Sequence, residues 1–137
     1  MNIRRMRIDD YEAVMKLWNG AEGVGVGPDD GKESIENYLQ RNPKTSFVAE
    51  ENGIIIGAIM AGHDGYRGFI HHTAVDRRYR KQGIGRQLVE AAMQAIKADG
   101  IHKVVLVVFK INEYGNAFWE KLGFDSRDDL YYRNLRI

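Results

Sequence analysis

The sequence predicts an α/β protein of the α+β kind, with a mixed, mostly antiparallel central sheet flanked by helices. Three observations predict it: helical periods near both ends of the chain, a middle stretch of apolar segments joined by tight-turn dipeptides, and a strand-turn-helix-strand unit after that stretch. The hairpin-joined segments belong to an antiparallel meander, and the helix-connected strand that follows makes the sheet mixed.

Each element has its own signal. "NIRRMRI" alternates Ile3, Met6 and Ile8 with arginine and predicts a strand; Asp9 or Asp10 then caps a helix carrying Tyr11, Val14, Leu17 and Trp18. "NGAEGVGVGPDDG" holds five of the 15 glycines and one of the two prolines, so it predicts a flexible loop, a substrate-side lid in position, before a short helix through Ile35, Tyr38 and Leu39. Three antiparallel strands follow, with one hairpin turn at Asn52-Gly53 and another at Asp64-Gly65. From Gly83 the period becomes helical, with Ile84, Leu88, Ala91, Ala95 and Ile96 on one stripe, and Gly100 closes that helix at its C′ position. "IHKVVLVVF" predicts a buried strand, residues 113 to 122 a helix stopped by the glycine of "KLGF", and "LYYRNLRI" a terminal strand.

Composition bounds the function. At 137 residues, with 44% hydrophobic and 28% charged side chains, the chain is expected to form a single domain, 1–137, with no room for a second. No cysteine is present, which excludes disulfides, thiolate metal sites and a covalent acyl-cysteine; no metal is expected. No apolar run approaches the roughly 20 residues of a membrane span, so a cytoplasmic protein without membrane partners is expected. Net charge is +1, from 20 basic and 19 acidic residues, so an anion site must be local. Five basic residues (Arg77, Arg78, Arg80, Lys81 and Arg86) crowd one turn, too thin a footprint for nucleic acid.

That turn, "RKQGIG", opens a helix. Free amides at a helix N-terminus and the helix dipole attract anions, and glycine admits a phosphate to the backbone. The Walker pattern fails because Arg86-Gln87 follows Gly85, and the Rossmann pattern fails because position 88 is leucine. The remaining pattern, Arg-x-x-Gly-x-Gly after a strand ending in "AV", resembles the acetyl-CoA pyrophosphate loop of the GNAT superfamily of N-acetyltransferases. "NEYGNAFWEKLGF" resembles that superfamily's later segment, an asparagine after a strand followed by a helix with an aromatic pair and a Lys-x-Gly-Phe stop. The resemblance covers nearly the whole chain, and within the superfamily the sequence looks most like small bacterial members of largely unassigned substrate.

The resemblance implies acetyl-CoA as cosubstrate and direct transfer to a primary amine in a ternary complex. Backbone groups of Thr73 and Val75 would pair with the pantetheine arm, amides of Gln82, Gly83, Ile84, Gly85 and Arg86 would hold the pyrophosphate with the Arg80 and Lys81 side chains beside it, and Asn112 would meet the arm. The acceptor would be a small-molecule amine or a peptide N-terminus.

For proton transfer, imidazole works near neutral pH, and "HH" at 71 and 72 lies in the strand entering the loop. Alternation along a strand sends only one of the two toward the site. In some superfamily members the inward histidine falls four residues before the strand's final valine, which corresponds to His71 and implies that His71 is the base. Seven residues after Asn112, where many relatives carry a tyrosine acid, stands Trp119, which is not a general acid; it is expected to pack on the cofactor arm, to wall the acceptor pocket or to lie in the core. Tyr114, Tyr131 and Tyr132 are the substitute acids, Tyr114 foremost. Trp18 and Glu22 could line the acceptor side, and Glu22 and Asp64 could attract a cationic amine. A tryptophan at the tyrosine position also fits a second reading, a catalytically weak or inactive acyl-CoA-binding regulatory module. Exposed strand edges near the C-terminus would permit a homodimer.

Overall fold

The computed structural model describes residues 1–137, which divide into two units, Met1–Val107 and Val108–Ile137. The first contains β1 (Asn2–Arg5), α1 (Tyr11–Asn19), α2 (Lys32–Arg41), β2 (Phe47–Glu51), β3 (Ile54–His63), β4 (Gly68–Val75), α3 (Ile84–Ala98) and β5 (Val104–Leu106). Its five strands follow sequence order across the sheet, β1-β2-β3-β4-β5; all neighbours are antiparallel except β4 and β5, which are parallel. The mixed, mostly antiparallel sheet expected from the sequence is therefore present, and its one parallel pair is the one connected through α3.

Local chemistry fixes the turns. Asn52 and Gly53 both take positive φ (51° and 78°), the geometry of a two-residue hairpin whose twist matches its strands. At the next turn Gly65 has φ 91°, and Asp64 Oδ1 accepts from the amides of Tyr66 and Arg67. Asp64 thus uses one carboxylate oxygen to hold its own turn. Gly100, at φ 87°, closes α3 as expected.

Side-chain alternation divides the core into two layers. Val48, Ala58, Met60 and Ala74 face Val14 and Trp18 of α1 and Ile35 of α2. On the opposite face a Cβ at Gly57 would lie 3.0 Å from Leu88 and 3.4 Å from Ile84, and one at Gly68 would lie 3.2 Å from Ile96, so the sheet approaches α3 closely. Trp18, Ile59, Leu88 and Ile96 are fully buried, each stabilising the fold by about 1.5–3 kcal/mol through burial.

Three expectations are corrected. Asp10 does not cap α1 with its side chain; its carboxylate accepts from Arg4 (2.8 and 2.9 Å) and from the Arg7 amide (2.8 Å), because the guanidinium on β1 offers a bidentate partner. The strand expected from "IHKVVLVVF" is three residues long and only half-buried, because its parallel pairing with β4 stops at Ile70 and Leu106. No strand forms at "LYYRNLRI": no strand of the sheet pairs with it, and Leu130, Tyr131, Tyr132 and Leu135 are exposed.

In the second unit α4 (Glu113–Lys121) ends in a glycine stop. Gly123, at φ 94°, donates to Glu120 O and Phe124 to Trp119 O, which satisfies the carbonyls left over at the helix end.

Candidate active site

Two features of the first unit build an anion site. Lys81 (φ 63°) and Gly83 (φ 80°) both adopt left-handed backbone, turning the chain sharply into α3. A non-glycine residue in that region is a form of strain that concentrates at functional sites. Gln87 N donates to Gly83 O at 3.0 Å, so the amides of Ile84, Gly85 and Arg86 precede the first intrahelical bond and are free to bind a ligand. Gly83 has nothing within 4 Å of where a Cβ would stand, leaving the amides uncovered. Unpaired amides at a helix N-terminus suit an anion.

The five clustered cations do not all serve it. Arg78 pairs with Asp76 at 2.9 Å, Arg86 with Glu90 at 3.1 Å, and Arg77 more loosely with Glu22 at 3.6 Å. Arg80 Nε donates to Val75 O at 3.4 Å, holding that side chain at the strand end beside the cradle.

Between the cradle and the sheet the backbone opens. Parallel pairing of β4 with β5 covers only Gly68, Phe69 and Ile70, so from His71 to Val75 β4 is paired on its β3 side alone. Such a free edge suits a ligand with peptide-like amides, and Thr73 and Val75 lie on it. Thr73 Oγ1 is buried without a partner, an orphaned polar atom on that stretch.

The two histidines flank a register break. Met60 stands opposite His72 but Ala61 opposite Ile70, so His71 is an extra residue in β4, a β-bulge. The bulge cancels alternation. His71 stacks on Phe69 (4.6 Å between centroids) and meets Tyr38 of α2 edge-on (5.3 Å), while His72 meets Trp18 of α1 (4.9 Å), so both imidazoles face the α1/α2 layer. The expectation that only one could do so is corrected.

His72 Nε2 lies 3.0 Å from Asp30 Oδ1, and the carboxylate as acceptor requires the proton on Nε2. Asp30 Oδ2 accepts from the Gly27 amide at 2.9 Å, and the Asp30 carbonyl accepts from Tyr11 Oη at 2.8 Å. Although His71 is exposed at the surface, the protein packed around its ring pushes its pKa below the usual imidazole value; the charge of His72 adds to that, and Asp30 opposes it. Burial pushes the Tyr38 phenol far up, so it stays neutral beside His71. Trp18 is fully buried with its Nε1 unpartnered.

Asp30 was not singled out from the sequence. The signal available was "GPDDG", a proline-led turn with an acidic third residue directly after the glycine loop. The bulge left no signal beyond the His-His pair itself.

In the second unit Asn112 caps α4, its Oδ1 accepting from Gly115 N at 2.8 Å. Gly115 is required there, since a Cβ would stand 2.5 Å from the Asn112 amide. Tyr114 is 57% exposed on the first turn. Trp119 packs edge-on against Phe118 (4.9 Å) and Phe124 (5.2 Å), an aromatic cluster that secures the helix end.

The model of the acetyltransferase (GNAT) family matches residues 11–124. An acetyltransferase of Pectobacterium atrosepticum is 34% identical over 128 residues, 93% of this chain and 90% of that protein. Among solved structures, the PaiA N-acetyltransferase of Thermoplasma acidophilum in complex with coenzyme A has a TM-score of 0.79 at 21% identity, covering 93% of this chain and 91% of that one. An aminoglycoside antibiotic 6′-N-acetyltransferase of Acinetobacter haemolyticus has the same TM-score at 18% identity, covering 100% and 99%. These two share the fold. With an uncovered helix N-terminus, a free strand edge and a family match spanning most of its length, the chain belongs to the GNAT family of acetyltransferases, and its reaction is the acetyl-CoA-dependent N-acetylation of an amine.

Proposed function

We propose that the cosubstrate binds along β4 and the start of α3 and that a small cationic amine or a peptide N-terminus is acetylated beside the two histidines. The observation that carries this reading is the continuity of one free edge, from His71 through Val75, with the uncovered amides of Ile84, Gly85 and Arg86. Thr73 and Val75 would meet the pantetheine amides, Gln82 to Arg86 the diphosphate, and Arg80 and Lys81 its charge. The family match runs across the boundary between the two units, which supports a single acetyltransferase domain comprising both.

Bound acetyl-CoA supplies a thioester carbonyl. His71 takes the proton released as the amine nitrogen bonds to the carbonyl carbon, and the thiolate leaves as the carbon-sulfur bond breaks. A neutral imidazole is required for that task, and the burial that lowers the His71 pKa favours one. Tyr114, exposed at the start of α4, is assigned as donor to the thiolate, and Asn112 and Trp119 as contacts of the cofactor arm. An α-amine, with a pKa of about 7.7–8.0, presents roughly a tenth of its population neutral at pH 7 and asks little of the base. The neighbour active on an aminoglycoside makes polyamino sugars a second acceptor class to examine. The setting is the cytoplasm, which a cysteine-free chain suits.

The test is release of coenzyme A from acetyl-CoA in the presence of spermidine, kanamycin, free amino acids or short unblocked peptides, for the wild type and His71→Ala. Acceptor-stimulated release that falls at least tenfold in His71→Ala is expected. Stimulated release unchanged in the variant removes His71 from the chemistry.

A further inference from the structure

A carboxylate buried at one junction deepens this reading. Asp30 is 7% exposed and ends the short turn Pro28–Asp30, directly after the glycine-rich segment Gly20–Gly27. Both of its oxygens are engaged, by partners from different places in the chain: Oδ1 by His72 Nε2 at 3.0 Å and Oδ2 by Gly27 N at 2.9 Å. Tyr11 Oη, from α1, holds the Asp30 carbonyl at 2.8 Å, so the turn is tied to the helix as well.

We propose that Asp30 is a positioning residue for acetyl transfer, orienting the His72 imidazole through one carboxylate oxygen while anchoring the glycine-rich segment through the other. This inference rests on the acetyltransferase site proposed above.

Two consequences follow from the geometry. With Nε2–H fixed on Asp30, neutral His72 keeps its Nδ1 lone pair free, so the carboxylate selects a tautomer as well as an orientation. The same carboxylate links the seating of the loop to the setting of His72, since its two oxygens hold Gly27 N and His72 Nε2. The groups facing the pair are Asp30 from the turn, Tyr38 from α2, and Trp18 and the Tyr11 hydroxyl from α1, so Asp30 is the one carboxylate among the contacts that define this corner. It acts on His71 as well, where its charge opposes the lowering caused by burial and by His72.

The test uses the full chain and two variants, Asp30→Asn and His72→Gln. Nitrogen NMR of the imidazoles reports the His72 tautomer, amide hydrogen exchange reports Gly27, and the pH profile of kcat/KM with acetyl-CoA and the best acceptor of the panel above reports the base. In Asp30→Asn the His72 tautomer is expected to become mixed, Gly27 exchange to rise at least tenfold, kcat to fall at least tenfold with KM for acetyl-CoA within twofold, and the acid limb to move to lower pH. In His72→Gln, where the side-chain amide still donates to Asp30, Gly27 exchange is expected to stay within threefold of wild type while the acid limb moves the other way. An unmixed tautomer, or unchanged Gly27 exchange in Asp30→Asn, overturns the anchoring; an unmoved acid limb with kcat within twofold overturns the positioning role. A wild type that releases no coenzyme A with any acceptor would count against the acetylation reading, while the two NMR readouts would still decide what Asp30 holds.

Discussion

Replacing Gly83 separates the energetics of the turn from those of ligand binding. Its φ of 80° lies where an L side chain costs about 1–2 kcal/mol, and no atom stands within 4 Å of the new Cβ, so backbone strain is the whole penalty in the free protein. For a chain of 137 residues that amounts to a fall in Tm of roughly 3–8 °C. Binding suffers more. Each hydrogen bond from a backbone amide to a phosphate is worth about 1.5–3 kcal/mol, and the side chain occupies the space through which those amides are reached. In Gly83→Glu a carboxylate about 5 Å from the diphosphate adds about 1 kcal/mol of repulsion even in bulk water. Losing one or two such bonds with that repulsion weakens coenzyme A by about 2.5–7 kcal/mol, or roughly 10²- to 10⁵-fold. Gly83→Ala should fall between wild type and Gly83→Glu. Isothermal calorimetry with coenzyme A, beside thermal denaturation followed by circular dichroism, measures both quantities. A Gly83→Glu protein that melts within a few degrees of wild type and binds coenzyme A with unchanged Kd would refute the assignment of the diphosphate to this turn.

Four further outcomes are expected. Because burial and the His72 charge lower the His71 pKa, its neutral form survives to more acid pH than in a free imidazole; the acid limb of kcat/KM should lie below about 6.5, and a limb at or above that value contradicts His71 as base. The same shift makes the stability contributed by His71 fall as pH drops from 6.5 through its lowered folded value, since the unfolded chain binds the proton first. In Gly62→Ala the new Cβ would stand 2.5 Å from Tyr38 Oη and 2.6 Å from Asn42 Cγ, so overpacking by about 1–3 kcal/mol should appear in urea denaturation, with loss of the bond from His63 N to Asn42 Oδ1 visible as faster exchange at His63. Arg4→Met leaves Asp10, 6% exposed, without its bidentate partner, and should destabilise by about 3–5 kcal/mol at pH 7. Burial raises the Asp10 pKa, but the bonds from Arg4 and the Arg7 amide outweigh it and hold the carboxyl below its usual value; the stability this gives should fade as pH drops through about 3.8 and below in wild type, and fade less in the variant.

What the sequence made legible was whatever has a local cause. Asn52-Gly53, Asp64-Gly65 and Gly100 announce their backbone geometry in residue type, and the stripe of Ile84, Leu88 and Ile96 announces the face of α3 that packs on the sheet. The turn into α3 was readable for the same reason, since a glycine before a helix is a local feature. Pairing is not local. "IHKVVLVVF" and "LYYRNLRI" carry strand-forming residues, yet a strand exists only where a neighbouring edge accepts its hydrogen bonds, and β4 offers three residues of pairing on that side. Asp10 and Asp30 were hidden because each is defined by partners distant in sequence or set by the fold: Arg4 and Glu50 form one cluster with Asp10, and His72 lies 42 residues from Asp30.

The bulge at His71 explains why the site departs from the alternation that governs the rest of the sheet. In an unbroken strand His72 would share a face with Ile70, toward α3. One inserted residue lets Ile70 and Thr73 keep the α3 side while His71 and His72 both turn to the α1/α2 layer, where Asp30, Trp18 and Tyr38 receive them. Ile70 is also the last residue of β4 to pair with β5. The irregularity that turns the two imidazoles together therefore coincides with the point where the strand edge becomes free for a peptide-like ligand.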